Sequence, residues 1–224
     1  MRSRDLVVGG VALLVAAGCV RLGFWQLDRL GQRRARNAEV WARRALPPIT
    51  LAGTGLPVAA DSVRDRRMIA RGVFDYARER VWRGRTYDGV PGVALVTPLR
   101  LADGSAVWVD RGWAPSPDAA RVDQVAYREG DSAVVEGVGM RAPRGRGDVD
   151  PDGLRDSLPY RSLPFVILRT DAVRASADAH PLRWSPPALG NGPHLSYAIQ
   201  WFSFAVIVLV GTGALLHQGG GGGG

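Results

Sequence analysis

The stretch G-P-H-L-S-Y-A-I-Q-W, residues 192–201, decides how this chain is organised. It opens an uncharged apolar run, Leu195 to Leu216, whose 22 residues reach the length needed to cross a bilayer. Gly192 and Pro193 break the chain just before that run. A histidine then stands at its threshold, with tyrosine, glutamine and tryptophan inside the first two turns. At about 100° per residue, His194, Tyr197, Trp201, Ala205 and Val208 share one helical face, whereas Ser196, Gln200 and Ser203 share another. Polar groups in a bilayer are costly unless partnered, so the serine and glutamine face is expected to contact the first helix or another membrane protein.

A second apolar run lies near the other end. Leu6 to Val20 follows Met-Arg-Ser-Arg-Asp, and beyond Arg21 the residues Leu22 to Trp25 extend it to a spanning length of about 20. Arg21 can snorkel to the interface and Trp25 suits the aromatic belt. The expected plan is thus a helical hairpin, with transmembrane segments over 6–25 and 194–216 flanking a domain over 26–193. The run Gly219 to Gly224 reads as a linker or as unassigned positions within a tail over 217–224. A rival reading takes Val15 to Cys19 as a lipoprotein cleavage site, with a lipidated Cys19.

The chain has 224 residues and a formal charge of +8, and every one of its 29 basic residues is arginine. Residues 1–50 hold nine arginines against Asp5, Asp28 and Glu39, so the basic excess sits beside the first apolar run. That placement points to lipid headgroups of the bilayer or an acidic partner, not to nucleic acid. Arg29, Arg33, Arg34, Arg36, Arg43 and Arg44 outnumber Arg2 and Arg4, so the charge bias taken alone puts the domain in the cytoplasm. The single cysteine excludes an internal disulfide.

Leu46-Pro-Pro-Ile ends a basic helical extension of the first segment. Strand patterns follow over 68–76, 81–85, 93–101, 106–110, 133–140 and 165–169, with Asp103-Gly104 as a hairpin cue. Ser116 to Glu129 reads as a short helix capped by its serine, and Arg141 to Pro164 as a mobile loop rich in Arg, Gly, Asp and Pro. The fold class is α+β: a mainly antiparallel sheet with one or two helices, between two transmembrane helices.

Catalytic chemistry is sparse. There is no Gly-rich phosphate loop, no paired-cysteine motif and no His-x-x-x-His. Asp148, Asp150, Asp152 and Asp156 lack the glycine and glutamate spacing of a calcium loop and read as a solvated acidic segment. An ordinary enzyme is disfavoured. In an antiparallel helix pair, however, His194 and Tyr197 come level with Phe24-Trp25-Gln26-Leu27-Asp28-Arg29. An imidazole, aromatic walls and a guanidinium are the parts a haem uses. The alternative is an interfacial histidine, an aromatic belt, and anchoring of the helix at the headgroups by Gln26 and Arg29.

Three ordered stretches resemble the Surfeit locus protein 1 family. They are Gly23-Phe24-Trp25-Gln26-Leu27-Asp28-Arg29; a series from Arg66-Arg67 through Gly72-Val73-Phe74 and Thr97-Pro98 to Arg111-Gly112-Trp113-Ala114-Pro115; and His194 to Phe202. The stretch 156–165 departs from the pattern by lacking a tryptophan, as do Asp28 and the arginine-dense run after it.

The resemblance implies a non-catalytic bacterial assembly factor of the inner membrane, with residues 1–5 cytoplasmic and the main domain periplasmic. Such a protein binds haem a transiently and aids its insertion into subunit I of cytochrome c oxidase, beside haem a synthase. His194 is the implied haem ligand. Trp25, Tyr197 and Trp201 are candidate walls, with Gln26 beside them, and Arg29 and Arg111 are candidate partners of the propionates. Arg111-Gly112-Trp113 also has a structural reading, as a glycine turn with a tryptophan closing a sheet edge. The rival function is a permanent accessory subunit of a respiratory oxidase, its Ser196, Gln200 and Ser203 face serving as a fixed helix interface.

Overall fold

A computed structural model describes residues 3–51, 59–141, 158–170 and 181–220. The chain divides into two compact units: the long terminal helices form one, and Ala42–Ala188 forms the other. The acidic segment around Asp148 and most of the loop expected over 141–164 lie outside the described residues.

Helix α1 runs unbroken from Ser3 to Ala45. Its 43 residues make it about 65 Å long, roughly twice the hydrocarbon thickness of a bilayer. The apolar segment and the arginine-rich extension are therefore one rod, which ends one residue before Leu46-Pro-Pro. Helix α3 runs from His194 to Gly220. Both helices are long and apolar enough to cross a membrane, and the protein is a membrane protein.

The helices pack antiparallel through small residues. On α1, Ala12, Ala16, Cys19 and Gly23 are buried at alternating spacings of four and three; on α3 it is Ala198 and Ala205, one heptad apart. Small side chains let two backbones approach closely where lipid gives no hydrophobic drive to associate. A side chain beginning at Gly23 would meet the Phe202 ring at 2.6 Å. Of the two contacts expected for the serine and glutamine face, the one with the first helix does not form: Ser196, Gln200 and Ser203 are all exposed. Ser196 and Ser203 donate back to Pro193 and Ile199 carbonyls of their own helix, which satisfies the hydroxyls without a neighbour.

In the second unit, β1 (Ile49–Leu51) and a single turn of helix α2 (Ala60–Val63) precede β2 (Arg67–Phe74), β3 (Arg80–Tyr87) and β4 (Val90–Arg100). Then come β5 (Ala106–Pro115), β6 (Ser132–Met140) and β7 (Ser162–Arg169). The sheet order is β1-β2-β6-β7-β5-β4-β3, and β2 also pairs with β4, which closes five strands into a barrel. Only β1–β2 and β5–β7 are parallel, so the sheet is mainly antiparallel. Met68, Phe74, Leu99, Val107, Val109, Val135, Phe165 and Ile167 fill the interior.

The helix expected over 116–129 does not form beyond one 3₁₀ turn, Gln124–Tyr127. Ser116 Oγ donates to Asp118 Oδ1 and to the Arg121 carbonyl, while Asp118 Oδ1 accepts from the amides of Ala120 and Arg121. These bonds offer the backbone a turn in place of a helix. They also lower the Asp118 carboxyl to about 2, chiefly through the Arg121 amide. Val122 and Tyr127 then pack on Val93, Leu95 and Ala114.

Candidate functional site

His194 is the first residue of α3, and Gln26 sits on the inward face of α1, three residues after Gly23. His194 Nδ1 lies 2.9 Å from Gln26 Oε1. It is a half-buried contact, and among the described residues it is the one polar contact of the imidazole. The helix start is fixed by its own backbone, with the Tyr197 amide donating to the Pro193 carbonyl.

Trp25 and Arg29 lie one turn apart on a different face of α1. The Arg29 guanidinium stands over the Trp25 ring, 5.3 Å from its centroid. Its Nη1 donates to Gln32, which donates in turn to Asp28. Beside Trp25 is a cavity of about 630 Å³ lined by Arg21, Leu22, Phe24, Trp25 and Asp28, a volume in the usual range for small-molecule sites. Trp201 packs on the seam with Ala16, Cys19 and Ala205. Phe24 meets Phe202 edge to face at 5.4 Å. Tyr197 is 46% exposed.

Of the residues named from sequence, the structure thus joins His194 to Gln26, and Arg29 to Trp25. No hydrogen bond, ion pair or ring contact links the two pairs among the described residues. Gly192, read from sequence as a break, has a φ of +68° that turns the chain into α3; what sequence reasoning missed is its place beside His194. A side chain beginning there would stand 3.4 Å from His194 Nε2. Proline immediately after the glycine was the signal for a turn, but not for its nearness to the ring.

Arg111 belongs to the other unit. It is the extra residue of a β-bulge: Leu95 faces Gly112 and Val96 faces Asp110, with Arg111 between. Following Val107 and Val109, it points into the end of the barrel and is fully buried. Its Nη2 donates to Glu79 at 2.6 Å, Nε to Thr97 at 2.8 Å, and Nη1 to the Tyr127 carbonyl and to Glu129. Tyr76 lies beneath it, 5.1 Å from ring centroid to guanidinium. Every nitrogen of this guanidinium is engaged within the barrel, which corrects the expectation of an arginine held open for an anion. Arg169 and Arg183 also reach Glu129. Burial alone would raise the Glu129 carboxyl, but hydrogen bonds and charge from these arginines hold it below its ordinary value.

The residues around the bulge hold a returning segment. Leu182 exchanges both backbone hydrogen bonds with Trp113, Arg183 donates to the Arg111 carbonyl, and Trp184 Nε1 donates to Asp110 Oδ1 at 2.9 Å. Gly112 has φ of +134°, and a Cβ there would strike the Leu182 carbonyl at 2.2 Å. The glycine turn therefore serves as a docking edge for this segment, with Trp113 buried against Tyr87. Asp110 is buried, and desolvation raises its carboxyl to about 6 despite the Trp184 bond.

The SURF1 family model matches residues 13–206, which takes in most of α1, the first half of α3 and every element between them. The chain belongs to the SURF1 family. Among its relatives, a SURF1-like protein of Rickettsia felis is 24% identical over 216 residues, covering 89% of this chain and 92% of that one. A SURF1-like protein of Monosiga brevicollis is 25% identical over 89% of this chain and 84% of its own. Surfeit locus protein 1 of Mus musculus is 26% identical over 85% of this chain and 69% of its own. The SURF1 match therefore covers the Gln26 and His194 segments and the bulge at Arg111 in one alignment.

Proposed function

We propose that this protein is a non-catalytic assembly factor for haem a-containing cytochrome c oxidase, holding haem a at the membrane edge for delivery to subunit I. Membership of the SURF1 family is consistent with oxidase assembly. The observation that carries the haem reading is the His194–Gln26 pair, which occupies one imidazole nitrogen and, among the described residues, leaves Nε2 without a polar partner. Bound haem would supply an iron that accepts neutral imidazole as a ligand, and two propionates that attract cations.

The donor set fits that group. No cluster of three or more His, Cys, Asp or Glu side chains suited to holding a metal ion occurs among the described residues. His194 would ligate through Nε2; Trp25, Tyr197 and Trp201 would offer ring surfaces; Arg29 would face a propionate. Arg111, already saturated inside the barrel, is left out. A single protein imidazole suits a carrier, because cargo passes onward only if the acceptor binds it more tightly.

Protein purified in detergent from cells that make haem a tests this directly. The wild type is expected to carry the absorption bands of bound haem, and His194→Ala to lose most of them. Equal haem content in the two overturns the ligand assignment. The family resemblance supports a periplasmic domain at the inner membrane, against the arginine bias. An alkaline phosphatase fusion within the barrel is expected to be active; an inactive fusion, with an active cytoplasmic reporter at the same point, reverses the orientation.

The exposed Ser196, Gln200 and Ser203 face favours a second reading, a permanent accessory subunit of the oxidase seated on another protein through that face. Stoichiometric presence in mature oxidase would establish it. Absence from the finished complex supports the assembly role.

A further inference from the structure

We propose that Gln26 is a positioning residue for His194: it holds the imidazole proton on Nδ1 and so leaves the Nε2 lone pair as the ligating atom, which Gly192 keeps uncovered. The identity of the ligand rests on the haem reading above, but the choice of tautomer does not.

The Gln26 atom facing Nδ1 is the amide oxygen, which can only accept. Nδ1 must then carry the hydrogen, and in a neutral imidazole the other nitrogen is left with a lone pair. The two tautomers of a free imidazole are close in energy, so one well-formed hydrogen bond decides between them. Metal-binding histidines are commonly oriented this way, with the nitrogen that does not bind the metal donating to an oxygen.

The packing makes that bond possible. Gly23, three residues before Gln26, admits the Phe202 ring where any side chain would collide at 2.6 Å. The two helices can therefore come close enough for the amide to span the seam. On the far side of the ring, a Cβ at residue 192 would already stand 3.4 Å from both Cδ2 and Nε2. The left-handed φ of +68° at Gly192 favours glycine independently. Among the described residues nothing polar contacts Nε2. One nitrogen is spent on fixing the ring, and the other is left open.

The test uses the full chain, free of haem, in lipid nanodiscs with 15N-labelled histidine. Its three histidines, His180, His194 and His217, are separated by comparison with His194→Ala. Two-bond proton–nitrogen correlations distinguish the tautomers. The wild type is expected to show His194 mostly as the Nδ1–H form. Gln26→Ala is expected to make that form the minor one, while Gln26→Glu, which keeps an acceptor, retains it. A wild-type His194 found mostly as Nε2–H overturns the proposal, whatever the variants do. So does a Gln26→Ala spectrum identical to wild type.

Haem a titrated into the same samples gives an independent arm. Gln26→Ala is expected to weaken binding about 10–100-fold, the usual effect of removing a residue that orients a metal ligand. If the tautomer responds as expected but His194→Ala binds haem as wild type does, the haem reading fails and the positioning role stands.

Discussion

The helix pair and the barrel each place an arginine over an aromatic ring, at 5.3 Å for Arg29 on Trp25 and 5.1 Å for Arg111 on Tyr76. They use the pairing differently. In the barrel, the guanidinium is enclosed and its nitrogens all donate to Glu79, Thr97, Glu129 or a carbonyl. In the helix pair, Arg29 stays exposed, and among the described residues His194 on α3 keeps a nitrogen with no polar partner. The kind of residue does not separate a ligand site from a folding cluster. What separates them is whether hydrogen-bonding capacity remains after the protein has folded.

Mutation should divide the two regions along that line. Arg111→Ala has the largest expected effect, because it leaves the buried Glu79 carboxylate uncompensated. Removing one partner of a buried pair costs about 3–5 kcal/mol, measurable by denaturant unfolding of the purified protein. His194→Ala should leave that unfolding free energy within about 0.5 kcal/mol of wild type. Similar losses for both would erase the distinction between the regions.

Asp110 sets the next effect. Its folded carboxyl is raised from 3.8 to about 6, so the folded state holds a proton that the unfolded chain has already released. The contribution is complete below pH 3.8 and disappears as pH rises through about 6. The change amounts to as much as about 3 kcal/mol. Asp110→Asn should match the wild type near pH 4, exceed it at pH 7, and flatten the slope between. An unchanged slope would show that folding does not raise the Asp110 carboxyl.

Gly23→Leu comes third. Overpacking a well-fitted contact costs about 1–3 kcal/mol, and here it would also part Gln26 from His194. Loss of the Nδ1–H signature with unchanged barrel unfolding would confine the damage to the helix pair. Ser203→Ala should be the mildest, within about 0.5 kcal/mol, because its hydroxyl serves only its own helix. A loss of oxidase assembly in that variant, without loss of stability, would instead mark the exposed face as a docking surface.

Much of the plan was legible from local pattern. Two spanning segments, a break before Leu46-Pro-Pro, six of the seven strands and the turn at Asp103-Gly104 follow from periodicity and turn chemistry. β1, three residues long, carries too little pattern to be read. The supposed helix at 116 failed because a capping serine and aspartate also make a turn, and the sequence does not say which bonds form. The serine and glutamine face reads as a contact with the first helix or with another membrane protein on the general cost of polar groups in lipid. Nothing local to Ser196 or Ser203 shows that a helix satisfies such hydroxyls itself.

The residues by themselves determined that His194 opens a membrane helix level with Gln26, because helix periodicity and an antiparallel hairpin leave little freedom. They did not determine the fate of Arg111. Its partners Glu79, Glu129 and Arg183 are 32, 18 and 72 residues away. Only closure of the barrel by β2 on β4, and the bulge that turns Arg111 inward, brings those charges together. Burial then makes their pairing obligatory, since an unpaired charge out of water costs far more than a pair. Tertiary structure thus withdrew one candidate from the site. Through a hydrogen bond between residues 168 positions apart, it also distinguished the two nitrogens of the histidine that remained.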